Sequence, residues 1–379
     1  MKHFKNVLPI LMFVVILFGL TMRSLTIEEK TYSSTEKREL QTKPKIRKKT
    51  IQNGKFQKKY EAYLSDQFPG RDAWVQLQTD VSRVLGKTES NGVYFGKDHY
   101  LLEHYTNEDF EAERMQMNLE ALADFARRAK ERAEVKIMMV PTKTWVLQEK
   151  LPAFAPTFDE EIFYNELDRQ FGADARQMLI PVKEELQKNC TQEVYYRTDH
   201  HWTTLGAWYG YDAYVRAVSD DPDRAIKKKD FEPVCSDFYG TTYAKVNLAE
   251  QGDEIYVYEP KAELQIVYNM GEKTTNSLYE MEHLDSGDQY RVFTGGNQAV
   301  LEISGGAKNG KTLLAIKDSF ANCMLPFLVE DFEKVVVVDL RQLNVGCDAL
   351  MDLFQPTDVL VLYNDVQFAK DRDFAVKCS

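Results

Sequence analysis

Histidine is scarce in this chain, six in 379 residues, yet two stand side by side in Arg197-Thr198-Asp199-His200-His201-Trp202-Thr203. In extended backbone, residues two apart share a face, so Asp199 and His201 would point together and His200 away. A carboxylate beside an imidazole fixes its tautomer and stabilises the imidazolium, which is what a general base requires. The plain alternative is a buried, hydrogen-bonded histidine at a helix entrance, with Thr203 or Thr204 capping the helix beyond. A metal site would need at least three convergent ligands, as a rule from separated segments. The other histidines offer no partner motif, so no metal is expected.

The second constellation is Ile316-Lys317-Asp318-Ser319-Phe320-Ala321-Asn322. Ser319 follows a short apolar strand and opens a helix, the place where open α/β sheets hold their ligands. Its backbone N–H and the helix start can stabilise an oxyanion. Taken alone, the serine reads as a simple N-cap. With Asp199 and His201 elsewhere in the chain, a Ser-His-Asp arrangement becomes available, in which the base activates a hydroxyl that is otherwise a weak nucleophile.

What must position these groups is a sheet. Residues 135–140, 312–316, 334–339 and 359–363 are continuous apolar runs, rich in β-branched residues and separated by helical stretches. Such runs indicate an α/β fold with a parallel sheet covered by helices on both faces. Apolar spacing predicts helices over 56–68, 72–85, 107–132 (with Asn107 as N-cap), 319–328 and 347–354. Residues 92–102 read as a hairpin around Lys97-Asp98. The stretch 255–303 alternates instead, as in Glu263-Leu264-Gln265-Ile266-Val267-Tyr268, and is expected to be an antiparallel β insertion.

Charge divides the chain unevenly. Residues 1–60 carry 14 Lys+Arg against 4 Asp+Glu, while 61–379 carry 34 against 55, so an acidic body follows a basic leader. A pI near 5.2 argues against a general nucleic-acid binder. From Val7 to Met22 the leader holds no charge, close to the length that spans a bilayer, with basic residues on its N-terminal side. The expectation is a signal anchor over 1–24, a basic stalk over 25–55 and an extracytoplasmic body over 56–379. A cleaved signal peptide is the rival, although Leu20-Thr21-Met22-Arg23-Ser24 offers no small-residue cleavage site. The stalk cluster Lys43-Pro44-Lys45-Ile46-Arg47-Lys48-Lys49 reads as a solvated linker, or as a contact for anionic headgroups or wall polymer. Five scattered cysteines exclude a disulfide scaffold; Cys190 and Cys235 could pair, and an odd count leaves at least one thiol free.

Asp199-His200-His201-Trp202 is the DHHW signature, and Asp318-Ser319 resembles the Asp-Ser nucleophile block of SGNH hydrolases, with Lys317 where those have glycine. Ser65-Asp66-Gln67-Phe68-Pro69-Gly70-Arg71, Gly92-Val93-Tyr94-Phe95-Gly96-Lys97 and Val140-Pro141-Thr142-Lys143 match as well. Over 56–365 the chain therefore resembles the DHHW family and the alginate O-acetyltransferase-like branch of the SGNH hydrolases. The resemblance implies an SGNH-hydrolase-like sheet with a circularly permuted motif order, since the Asp-His pair precedes the serine. It implies Ser319 as nucleophile, His201 as base and Asp199 as its orienter, with Asn364 as oxyanion donor and Asn322 behind it. The activity implied is O-acyl transfer or ester hydrolysis, with acetyl as the acyl group, on a cell-surface or exported polysaccharide. No cofactor is implied, and the implied partner is a membrane-bound O-acyltransferase. The competing reading is a catalytically silent cell-surface scaffold or glycan-binding protein, in which some of the 20 Tyr and 21 Phe line a sugar groove.

Overall fold

The computed structural model describes residues 2–33, 38–219, 226–227, 230–248 and 251–379; positions 34–37, inside the expected stalk, fall outside it. The chain divides into two units, one formed by 1–90 with 244–248 and the other by 91–243 with 249–379.

The first unit opens with α1 (Lys2–Thr26), followed by α2 (Lys55–Asp66) and α3 (Arg71–Val84). Gly70 separates the last two at φ +69°, a left-handed conformation that costs glycine nothing. The expected stalk is more than a bare linker. Gln41 N–H donates to the Asp66 carboxylate at 2.8 Å, and Gln67 Nε2 donates to the Lys30 carbonyl at 2.8 Å. The polar end of α2 thus holds the stretch before it. The expected anchor coincides with α1, whose side chains at positions 2–6, 8, 10 and 25 lie outside the described residues. Among the described residues no helix is long and apolar enough to cross a membrane.

The second unit carries the candidate chemistry. It starts with the expected hairpin, β1 (Val93–Phe95) paired antiparallel with β2 (Leu101–Glu103). Helix α4 (Ala112–Ala129) begins later than Asn107, because the Asp109 carboxylate captures Thr106 N–H at 2.8 Å and its hydroxyl at 3.1 Å in a local turn. There follow β3 (Glu134–Val140), α5 (Thr204–Val218), β4 (Phe231–Phe238), β5 (Asp253–Tyr258), β6 (Gln265–Tyr268), β7 (Lys273–Thr275) and β8 (Val300–Ser304). The chain ends with β9 (Thr312–Lys317), β10 (Lys334–Val338), α6 (Cys347–Phe354), β11 (Asp358–Asn364), α7 (Asp365–Lys370) and α8 (Phe374–Cys378).

Seven strands form one sheet in the order β7-β6-β8-β10-β9-β11-β3. β10, β9, β11 and β3 run parallel, as their continuous apolar runs predict. The stretch 255–303 does not stand apart as an insertion. β5 pairs with β4 in a two-stranded ribbon, while β8 joins the central sheet antiparallel to β10 and β6 and β7 extend it, each antiparallel to the strand before it, so the sheet is mixed. Their alternating pattern fits this edge, where one strand face can stay wet.

Successive residues of β9 serve opposite cores: Leu313 and Ala315 belong to the core that includes Trp202 and Leu362, and Leu314 and Ile316 to the one that includes Phe125 and Val361. Fully burying each of these larger side chains contributes about 2 kcal/mol. Lys317 is next on the first face, and the strand ends there. The predicted helix at 319–328 is a tight turn, Ser319–Cys323, followed by the short helix Leu325–Leu328. A disulfide joins Cys347 to Cys378, whereas Cys190 and Cys235, the pair considered from sequence, are free thiols, as is Cys323.

Candidate active site

Three side chains from the two sequence constellations meet in the second unit. The Asp199 carboxylate lies 2.5 Å from His201 Nδ1, and His201 Nε2 lies 2.8 Å from Ser319 Oγ. A carboxylate can only accept, so the proton sits on Nδ1 and leaves Nε2 to accept from the serine hydroxyl.

Asp199 and His201 do not come together along an extended strand, as the spacing suggested. Residues 197–201 form a bend, and the Asp199 carboxylate accepts the backbone N–H of His201 at 2.9 Å, a local turn typical of aspartate. For the same reason His200 does not point away. Its ring centroid is 3.8 Å from that of His201, and its Nδ1 lies 2.5 Å from Thr241 Oγ1. Thr203 caps α5 as expected, accepting from Gly206 N–H at 3.1 Å.

The bend is held from both sides. Lys143, buried at the end of the Val140-Pro141-Thr142-Lys143 motif, donates through Nζ to the carbonyls of Tyr196, Arg197 and Asp199 at 3.2, 3.3 and 2.7 Å. Asp253 accepts from the N–H groups of Arg197 and Thr198 at 2.7 and 2.8 Å. The hairpin contributes Leu101 N–H, which donates to the Arg197 carbonyl at 3.0 Å. On the outer oxygen of Asp199, Thr241 donates through its N–H at 2.7 Å and its hydroxyl at 3.0 Å. Gly240 makes that approach feasible, since a Cβ there would fall 2.1 Å from Asp199 Cβ. Trp202, buried, donates through Nε1 to the Phe320 carbonyl at 2.8 Å and so ties the histidine segment to the serine turn.

Ser319 stands at the C-terminal end of β9. Asp318 caps its turn, accepting Phe320 N–H at 2.9 Å and, with its other oxygen, Asn364 N–H at 2.8 Å. Burial pushes the Asp318 carboxyl up to about 6. Lys317, where SGNH hydrolases have glycine, is buried and donates to Asn297 Oδ1 at 2.8 Å and Asn322 Oδ1 at 2.7 Å. Its burial pulls the ammonium down to about 8. The strand end is therefore a packed polar cluster.

The two asparagines expected as oxyanion donors are engaged in this scaffold. Asn364 Nδ2 donates to the Val140 carbonyl at 3.0 Å and to Asp365 at 3.2 Å, and its Oδ1 caps α7. Asn322 faces Lys317 with its oxygen and Asn297 with its nitrogen, at 3.4 Å. Asn364 ends β11 and ties it to the end of β3, whereas Asn322 sits in the turn after β9 and holds the last residue of that strand. Ser319 N–H, first of its turn, makes no hydrogen bond to any described residue.

Electrostatics favour a neutral imidazole beside an ionised carboxylate. Burial, and then the neighbouring His200, lower His201 to about 4 against the opposing pull of Asp199. Burial would raise Asp199, but the two imidazoles and the Thr241 donor outweigh it and hold the carboxyl well below its usual range. Asp199, His200 and His201 offer metal-type ligand atoms within 4.8 Å of one another. A metal there would have to displace the hydrogen bonds to Thr241 and Ser319. Tyr290 lies against the imidazole, its ring centroid 4.0 Å away at an interplanar angle of 8°. Sequence reasoning missed Tyr290, Thr241, Gly240 and Asp253, which stand in no chemical motif; Lys143 stood in one, but without a role.

The comparisons agree with the class of fold and motif. The family model described as DHHW protein matches residues 162–338, bearing out the resemblance read from Asp199 to Trp202. The probable alginate O-acetylase AlgJ of Pseudomonas syringae pv. tomato is 30% identical over 167 residues, 42% of this chain and 41% of that protein. The Pseudomonas putida protein of the same name is 28% identical over 193 residues, 48% of each chain. The match thus spans less than half the length of these curated relatives. Among solved structures, a DHHW family protein from Eubacterium siraeum superposes with a TM-score of 0.64 at 22% identity, covering 76% of this chain and 96% of that one. PatB1 of Bacillus cereus follows with a TM-score of 0.59 at 22% identity, covering 72% and 96%. These likenesses show a shared α/β fold.

Proposed function

We propose that this protein is an O-acyltransferase or esterase that moves an acetyl group onto or off hydroxyls of a cell-surface or exported polysaccharide, with Ser319 as nucleophile. The observation that carries the reading is the 2.8 Å contact between His201 Nε2 and Ser319 Oγ, with Asp199 on the other imidazole nitrogen. The name of the AlgJ relatives, alginate O-acetylase, supports the acyl group and the substrate class.

In the first half-reaction the Ser319 hydroxyl proton passes to His201 Nε2 as Oγ bonds to the acyl carbon. The Ser319 N–H, the unspent donor at this position, faces the developing oxyanion. Collapse breaks the ester bond, and the leaving oxygen takes the proton from His201. A sugar hydroxyl or water then gives its proton to Nε2 and attacks the acyl-serine carbon. Breaking that bond returns the proton to Oγ and regenerates the site.

In this reading residues 1–24 anchor the body outside the membrane, where a membrane-bound O-acyltransferase supplies the acyl group. Protease added to intact cells then removes the body; full protection sinks the topology. A sulfonyl fluoride labels Ser319, located by peptide mass spectrometry, with labelling reduced in His201→Ala. Full turnover of an acetyl ester by Ser319→Ala rules the nucleophile out. A protein that releases acetate from no activated ester is the silent scaffold instead.

A further inference from the structure

We propose that Tyr290 is a positioning residue for the His201 base, holding the imidazole by the face of its ring and favouring the imidazolium that forms when Ser319 releases its proton. The inference rests on the acyl-transfer reading above. The two rings are close to parallel, 8° apart at 4.0 Å between centroids. The same tyrosine reaches the nucleophile, since its hydroxyl donates to the Ser319 carbonyl at 3.4 Å and lies 3.4 Å from Cys323 Sγ. One side chain therefore touches the base and the backbone of the nucleophile.

The π face of a tyrosine is negative. Parallel rings gain little from this while both are neutral, and more once one is a cation in a desolvated site. His201 is such a site. Asp199 bonds its Nδ1, His200 lies 3.8 Å off, and the Phe320 ring lies 5.0 Å away. Glu103 is a more distant carboxylate, and Cys323 Sγ meets the Tyr290 hydroxyl. Of these, Asp199 and Glu103 favour a charged imidazole and His200 opposes it. Water contributes little, because His201 and Tyr290 are both buried. The ring face thus adds to Asp199 in offsetting the desolvation that otherwise makes this base reluctant to take a proton.

Tyr290 reaches the site from the turn Gln289–Val292, in the connection between β7 and β8. Phe238, Phe293 and Tyr196 pack around it and fix its plane. A ring that merely fills space would serve equally well with its π density withdrawn.

The experiment follows His201 itself, by ¹⁵N NMR of histidine-labelled full-length chain across pH, with phenylalanine, leucine and 3,5-difluorophenylalanine at position 290. Tyr290→Phe keeps the His201 midpoint, and Tyr290→Leu lowers it by about one pH unit. The difluoro ring, equal in shape to phenylalanine, falls between them. In ester turnover the leucine variant loses kcat with KM unchanged. Identical midpoints for the phenylalanine and difluoro chains overturn the proposal, and that pair decides even if the leucine variant does not fold. Sulfonyl fluoride labelling of the parent reports separately on Ser319. Absent labelling with a shifted midpoint removes the acyl-transfer reading and with it the catalytic part of this inference, while the ring contact stands.

Discussion

Lys143 Nζ hydrogen-bonds the carbonyl of Asp199 at 2.7 Å, and the same ammonium holds the carbonyls of Tyr196 and Arg197. A cation from the end of β3 thus sets the backbone of the bend that aims Asp199 at His201. Lys143→Met leaves the carbonyls of Tyr196 and Asp199 without their donor, while Leu101 N–H still serves that of Arg197, so urea unfolding should register a loss of about 3 kcal/mol. Ester turnover should fall further than stability explains, through misaligned Asp199. An unchanged unfolding midpoint would show that water replaces the ammonium without cost.

His201→Ala should reduce ester turnover by roughly 10³-fold or more, the loss typical of a triad base. His200→Ala should cost far less, because His200 bonds Thr241 and not Ser319. Equal losses with bound metal found by elemental analysis would favour the Asp199-His200-His201 ligand set.

The acid limb of kcat/KM should lie well below the ordinary histidine value, near pH 4, because burial and His200 disfavour the charged imidazole. His200→Ala removes one of those causes and should move the limb to higher pH. Stability carries the same sign. The unfolded chain takes up a proton near 6.5 that the folded His201 refuses until about 4, so stability falls as pH drops through that window. A thermal midpoint flat from pH 6.5 to 4.5 would contradict a buried neutral imidazole.

Cys347 and Cys378 are 31 positions apart and bind α6 to the C-terminal α8. Closing a loop of that size contributes about 3–4 kcal/mol through the unfolded chain. Cys378→Ser should lose that amount in denaturant titration, and reductant should then have no further effect. A further loss under reductant would mean that Cys190, Cys235 or Cys323 also pairs in solution.

The sequence carried the site's reacting atoms and the parallel half of the sheet. The runs over 135–140, 312–316, 334–339 and 359–363 are apolar on both faces, and only a covered parallel strand needs that. The position of β6 to β8 was hidden, because alternation states that one face is wet but not which strand lies alongside. The hydrogen-bond partners of Asn364 and Asn322 were hidden too: an asparagine at or past a strand end can cap or bridge, and Val140 and Asn297 are distant from them in sequence. Tyr290 was illegible for a related reason. An aromatic on a loop is read as core until the ring it covers is known.

Gly240 gives the motif a dependency that lies outside it. Any side chain there would strike Asp199 at 2.1 Å and drive the carboxylate from Thr241 and His201. A chain could therefore keep Asp-His-His-Trp and its serine intact, pass every inspection by motif, and be inert through one methyl group on a neighbouring loop. Sorting working copies from silent ones means reading the residue across from the aspartate as well as the aspartate.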